Sequence, residues 1–231
     1  MSLARAGKRR PYQRHTQDPE LSMDELASII GNDLAAFPFA LPDETALQCA
    51  RYCHLLHKWN GVYNLTSVRD VRLMVPRHIM DSLSIQPWLQ GQHILDAGCG
   101  AGLPGIPLAI ANPDRHFTLV DSNHKKTRFV RQAVVECTLK NVTVINARIE
   151  DVELDQPVDT LVSRAFTSIE NFIEGTAHMM TASTRILAMK GTYPLAELES
   201  IPSGYSVQQV EKLQVPGLDA DRHLVILTPT S

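Results

Sequence analysis

Three scarcities in this chain each remove a class of protein. No apolar run approaches the roughly 18 residues needed to cross a bilayer, so no membrane-spanning helix is expected. The four cysteines, Cys49, Cys53, Cys99 and Cys137, do not resemble a disulfide framework in a chain of this size. The Arg-rich start lacks the apolar stretch of a secretory signal, and a cytoplasmic location is expected. Internal repeats and low-complexity linkers are also missing. With 44% hydrophobic and 20% charged residues, the 231-residue chain has the means to bury a core as one domain.

Charge is unevenly spread. Residues 1–15 hold Arg5, Lys8, Arg9, Arg10 and Arg14 without an acid, although the whole chain carries a net charge of −3. Residues 1–21 therefore read as a basic, flexible arm on an acidic body, either a phosphate-seeking tail or a bland leader. Residues 22–90 read as a helical extension. Ser22 and Glu25 form a capping-box pair before Leu26, Ile29, Ile30 and Leu34. A second helix is predicted from Pro42-Asp43 to about Trp59, with Cys49, Tyr52, Cys53 and Leu56 on its apolar stripe. Cys49, Cys53 and His57 share that stripe, but with no second ligand pair nearby they read as packing, and no metal is expected. Trp59–Thr66 is expected to be a turn-rich link. A third helix is predicted from about Asp70 to before Pro87, kinked at Pro76, with Arg77 and Asp81 as i, i+4 ion-pair partners and His78 between them.

From residue 91 onward the pattern changes. Strand-like runs at 93–97, 116–120, 142–145, 158–162 and 184–189 alternate with helical runs at 104–111, 124–139 and 168–180. That is a βαβαβ series, hence a parallel sheet covered on both faces. Ser206–Val215 and Arg222–Thr228 are joined by a connection too short for a crossover helix, so they should form an antiparallel hairpin at the sheet edge. The fold class expected is a Rossmann-like α/β fold that ends in an antiparallel hairpin. Its doubly wound, mostly parallel seven-stranded sheet (residues 91–231) would form one compact domain with 22–90.

The chain is organised around Ile94-Leu95-Asp96-Ala97-Gly98-Cys99-Gly100-Ala101-Gly102-Leu103-Pro104-Gly105. A buried strand ends in an acid, breaks into glycines and meets a helix start, a grammar that lays bare backbone against a ligand. A dinucleotide fingerprint needs glycine three positions after Gly100, where this chain has Leu103. With S-adenosylmethionine (SAM) there is no pyrophosphate to neutralise, and Asp96 is positioned to receive a cationic amino-acid end, which narrows the expected fold to the SAM-dependent methyltransferase type. Asp121, closing the second strand, suits a ribose in either cofactor. Ile149 and Glu150, after the third strand, are placed to flank and read an adenine. Arg164 and Lys190 follow the fourth and fifth strands on the same rim, a pairing that favours an anionic substrate such as RNA.

Several motifs carry a closer resemblance. They are Trp59-Asn60…Tyr63-Asn64-Leu65-Thr66, Arg77-His78-Ile79…Asp81-Ser82, the glycine loop through Ile106-Pro107, Asp121-Ser122…Lys125-Lys126…Arg128-Phe129, Ser163-Arg164-Ala165 and Lys190-Gly191. From about residue 22 to the C-terminus the chain resembles the bacterial small-subunit ribosomal RNA guanine-N7 methyltransferases, also called glucose-inhibited division protein B. Cys99 stands where that family often has Thr, and Met80 where Leu is expected. The resemblance implies SAM-dependent methylation of N7 of guanine 527 in 16S rRNA, on the small ribosomal subunit or an assembly intermediate. It also implies cofactor contacts at Gly98, Leu103, Ile149, Glu150 and Arg164. The residue-level reading adds Asp96, Gly100, Gly102 and Asp121, and hypothesises that Arg164 and Lys190 position the substrate.

Guanine N7 has a free lone pair and no proton to lose, so no catalytic base is named; alignment and charge placement suffice. Cys99 reads as a small packed residue. Three alternatives stay open on the residues alone: another RNA or small-molecule acceptor, an NAD(P)-dependent oxidoreductase, and a non-catalytic RNA-binding relict of the fold. Glycine spacing disfavours the second, and the intact loop disfavours the third.

Overall fold

The protein is described from a computed structural model covering residues 21–164, 166 and 168–230; apart from Leu21, the expected basic arm lies outside the described residues. Seven strands form one sheet: β1 (His93–Ala97), β2 (His116–Val120), β3 (Val142–Ile145), β4 (Thr160–Ser163), β5 (Arg185–Lys190), β6 (Tyr205–Lys212) and β7 (His223–Pro229). Their order is β3-β2-β1-β4-β5-β7-β6. β1 to β5 run parallel, whereas β7 pairs antiparallel with both β5 and β6. The order reverses between β1 and β4, so a crevice opens beyond the carboxyl ends of those two strands, where ligands of such sheets bind.

Apolar residues alternate across the sheet and feed two cores. On one face Ile94, Phe117, Leu119 and Val162 pack with α5 (Gly105–Ala111), α6 (His124–Glu136) and the N-terminal helices α1 (Met23–Leu34) and α2 (Thr45–Tyr63). On the other face Leu95, Ala97, Leu161 and Ile186 bury Ile169, Phe172 and Ile173 of α7 (Ile169–Thr176). The extension thus shares a continuous core with the sheet: Leu26, Ile30, Tyr52 and Leu56 are fully buried beside Ile106 and Phe129.

Local chemistry sets the helix starts. Ser22 and Glu25 make the expected reciprocal capping box on α1. The Asn123 side chain accepts from the N–H groups of Lys125 and Lys126, and Ser168 caps α7 through Asn171 N–H.

Two expectations need correction. Residues 59–63 are not a link but the last turn of α2, which closes on Asn64 in left-handed backbone, φ 51°. Asn60 is buried there, and its side chain ties down the following loop, donating to Val68 O (2.8 Å) and accepting from Thr66 N–H (2.9 Å). The third helix begins as α3 (Val71–Met74), widens into a π-helical segment (Val75–Met80) and resumes as α4 (Asp81–Leu83). Pro76 has no N–H for the regular ladder, and the wider turn carries Arg77 out of line with Asp81. Asp81 is instead buried and bonded to other arginines, so the predicted Arg77–Asp81 ion pair does not form. A short helix α8 (Leu195–Leu198) after β5 had no clear pattern in the sequence.

Candidate active site

The glycine loop is a tight cradle between β1 and α5. Gly102 and Leu103 N–H groups both donate to Cys99 O, at 2.8 and 2.9 Å. Gly98, Gly100 and Gly102 all have positive φ, and a Cβ on Gly102 would stand 2.6 Å from Ile106 Cγ1. Gly105 matters for a different reason, since a Cβ there would meet Asp96 Oδ2 at 2.7 Å and Leu119 at 2.8 Å. This glycine, unremarked in the motif, gives the close helix–strand approach that the third glycine gives in a dinucleotide fold. From the extension, Tyr52 donates its hydroxyl to Ala101 O at 2.7 Å, fixing the loop from behind.

Asp96 is fully buried. Its Oδ2 accepts the Gly105 N–H at 2.8 Å, while its Oδ1 has no partner among the described residues. Burial pushes its pKa up to about 7; the Gly105 hydrogen bond and the Arg164 charge pull the other way, and Asp121 adds to the rise. Asp121 accepts Gly100 N–H on one oxygen and Asn123 N–H on the other, at 2.8 and 2.7 Å, leaving each oxygen a further lone pair. A cavity of about 230 Å³ opens beside these groups, lined by Gly98, Asp121, Ile149, Glu150 and Phe166. Of the other residues expected to contact the cofactor, Asp96, Gly100, Gly102, Leu103 and Arg164 do not line it. Phe166, its ring tilted against Phe172 with centroids 5.2 Å apart, was not singled out by the sequence, where it is one apolar residue after a strand.

A second, wider cavity of about 620 Å³ is lined by Arg77, His78, Asp81, Arg164, Lys190 and Arg222, among others. Asp81 is its electrostatic hub. Arg164 Nη1 reaches Asp81 Oδ2 at 3.3 Å and Arg77 O at 3.2 Å, and Arg222 Nε donates to Asp81 Oδ1 at 2.8 Å. Lys190 Nζ is held by Glu197 Oε2 at 2.8 Å, and the same oxygen accepts the Ile169 N–H that opens α7. Neither rim cation named from sequence is free in solvent; both are positioned by a carboxylate. Arg77 is exposed, with no carboxylate partner among the described residues. His78 is buried, and its partners assign the proton to Nδ1, which donates to Arg77 O while Nε2 accepts from the Thr66 hydroxyl (2.8 Å each). Burial, then the Arg164 charge, lower its pKa to about 4 against the opposing bond to Arg77 O.

Arg222 escaped the sequence reading, although a signal was available. The antiparallel register sets Lys190 opposite His223, which carries the start of β7 to the rim where β5 ends. Among the described residues, no three His, Cys, Asp or Glu side chains are grouped to hold a metal ion, and no helix is long and apolar enough to cross a membrane. All four cysteines are buried and unpaired; burial raises every thiol, Cys53 to about 12 and Cys137 to about 11.

A family model described as rRNA small subunit methyltransferase G matches residues 46–225. Ribosomal RNA small subunit methyltransferase G of Marinobacter nauticus is 50% identical over 194 residues, covering 84% of this chain and 91% of that protein. Its counterpart from Pectobacterium atrosepticum is 44% identical over 205 residues, covering 88% of this chain and the whole of that protein. At the level of fold alone, a SAM-dependent methyltransferase structure from Aquifex aeolicus superposes with a TM-score of 0.52 at 17% identity, over 67% of this chain and 92% of that one. The chain that builds a glycine cradle at the β1–β4 crevice beside a guanidinium-lined cavity belongs to the rRNA small subunit methyltransferase G family.

Proposed function

We propose that this chain methylates N7 of guanine 527 in 16S rRNA with SAM as methyl donor, acting on the small ribosomal subunit or an assembly intermediate. The observation that carries the reading is a narrow cavity lined by Asp121, Glu150 and Phe166, with Arg164, two residues before Phe166, lining a wide cavity that also holds Arg77 and Arg222. The choice of guanine comes with the family the motifs resemble. SAM, when bound, supplies an electrophilic methyl group on a sulfonium centre.

The residues present fit that group. Asp96 Oδ1 is a buried acceptor without a partner, which an ammonium would satisfy. Asp121 keeps lone pairs for ribose hydroxyls, and Gly98 offers backbone without a side chain. Ile149 is buried at the wall of the narrow cavity, with Glu150 beside it, as an adenine site requires. Gly100, Gly102 and Leu103 hold the cradle's shape, and Arg164 lines the wide cavity.

On the acceptor side, Arg164 and Lys190 hold positive charge at fixed points, tethered by Asp81 and Glu197, where phosphate or the base edge would lie. His78 stays neutral and adds no charge. Because N7 has no proton to lose, none of these groups needs to act as a base; the chain aligns, neutralises phosphate and excludes water.

Guanine N7 faces the deep major groove of A-form RNA, so the target must lie in a loop or be splayed out. A folded subunit or large rRNA fragment should incorporate tritiated methyl groups, and a fully duplexed oligonucleotide should not; comparable rates on both would contradict the reading. Arg164→Ala and Lys190→Ala should each lower the rate at subsaturating rRNA, and unchanged rates in both would remove their positioning role.

A further inference from the structure

Two sequence motifs take no part in the chemistry above, yet the fold joins them. Trp59…Tyr63 closes α2, and Lys125-Lys126…Arg128-Phe129 opens α6. The Trp59 ring lies 5.2 Å from Tyr63 and 5.6 Å from Phe129, with Arg128 Cζ 6.0 Å from its centre. Inward, the series of tilted ring contacts continues from Phe129 to Tyr52 at 6.2 Å, and Tyr52 bonds the glycine loop through Ala101 O. Outward, it ends on Tyr63, 38% exposed, beside Val62 at 72%. An aromatic ladder therefore runs from the solvent to the back of the cofactor cradle.

The same two helices are charged against the trend of the chain. They carry Arg51, Lys58, Lys125, Lys126, Arg128 and Arg131 against the single acid Glu136, in a protein whose net charge is −3. Among the described residues, none of these six cations is in an ion pair. Lys126 Nζ lies 3.9 Å from where a Gly100 Cβ would stand, so the basic face is continuous with the cradle. Unpaired like charges on adjacent helices repel unless an anion covers them, and phosphodiesters do so without a matching shape. The exposed ring of Tyr63, next to Trp59 with Arg128 over it, adds what nucleic acid uses and an acidic protein does not: a flat platform for a base.

We propose that the α2–α6 face is the docking surface for single-stranded rRNA next to the target, with one base stacked on Tyr63 and the backbone tracking Lys125 and Arg128. The proposal rests on rRNA being the acceptor. It is tested on the full chain by fluorescence anisotropy with a labelled single-stranded oligoribonucleotide over a salt series, with SAM affinity measured by calorimetry. Tyr63→Ala should weaken RNA binding roughly tenfold, and Tyr63→Phe, which keeps the ring, should stay within about twofold of the parent protein. Lys125→Gln with Arg128→Gln should flatten the slope of log Kd against log salt by about 1.4, the share of two single-strand phosphate contacts. Lys212→Gln, already paired with Asp221 on the far sheet edge, should change nothing. SAM affinity should be the same in all four.

If the parent protein methylates rRNA while Tyr63→Ala and the Lys125/Arg128 double variant bind RNA within twofold of it, the docking face is overturned and the acceptor reading stands. Retained RNA binding with loss of polyglutamate binding would assign the face to an acidic protein and overturn it equally. A parent protein that neither binds nor methylates rRNA would remove both.

Discussion

Arg222 donates its Nε to the carboxylate of Asp81 at 2.8 Å across 141 residues of sequence, and so clamps the helical extension to the terminal hairpin. Asp81 is nearly inaccessible, with its side chain 3% exposed, and its other oxygen holds Arg164. The two arginines that face the wide cavity therefore share one buried anion. Asp81→Ala would leave both without it.

We expect Asp81→Ala to lower unfolding free energy by about 2 kcal/mol, less than a wholly buried pair because both arginine side chains are 25% exposed. Arg222→Ala should cost less, since Asp81 keeps Arg164. Urea denaturation of the two single variants and the double variant checks this; strict additivity would mean that Asp81 and Arg222 are not coupled.

The proposed contact of Asp96 with the ammonium of SAM would make cofactor binding depend on pH. Its pKa near 7 keeps it largely neutral below that value, whereas a cationic ligand selects the carboxylate. SAM affinity should therefore rise by roughly tenfold from pH 6 to pH 8 and level off above. Asp96→Asn should bind more weakly and lose this dependence. Calorimetry across that range decides, and a flat profile in the parent protein would exclude the Asp96 role.

His78 gives the opposite kind of linkage, to stability. Its folded pKa of about 4 lies below the ordinary 6.5, so the unfolded chain takes up the proton first. Stability from this group is complete above pH 6.5 and is lost as pH falls towards 4, by about 3 kcal/mol in total. Against His78→Gln, the parent protein's advantage in urea should shrink between pH 7.5 and pH 4.5. Asp96, which loses stability as pH rises towards 7, is common to both proteins and cancels in the difference.

Two glycines separate packing from conformation. Gly105→Ala should destabilise by about 1–3 kcal/mol and weaken SAM binding, because its Cβ would strike Asp96 and Leu119. Gly61, inside α2 with nothing within 4 Å of a Cβ, should accept alanine with a gain of about 0.5–1 kcal/mol. Thermal unfolding reads both, and equal signs would contradict the account.

Much of this was legible in the sequence because its signals are local. The ends of β1, β2 and β3 follow from short apolar runs closed by polar residues, and Ser22 with Glu25 announces α1. Asp96, Asp121, Arg164 and Lys190 could be named because strand ends share one rim. What escaped was long-range or depended on backbone departures. Arg222 reaches Asp81 only through the β5–β7 register, and the π-helical turn at Pro76 breaks the i, i+4 rule that paired Arg77 with Asp81. Gly105 looked like an ordinary helix start because its close approach is to a strand 14 residues later, at Leu119.

The most direct test of the central claim is to map the methyl group itself. Small subunits lacking the modification, incubated with the protein and SAM, should acquire a single N7-methylguanine. Borohydride reduction and aniline cleavage followed by primer extension should stop at guanine 527. A stop at another nucleotide, methyl groups recovered in the protein fraction, or no incorporation with SAM bound would contradict it.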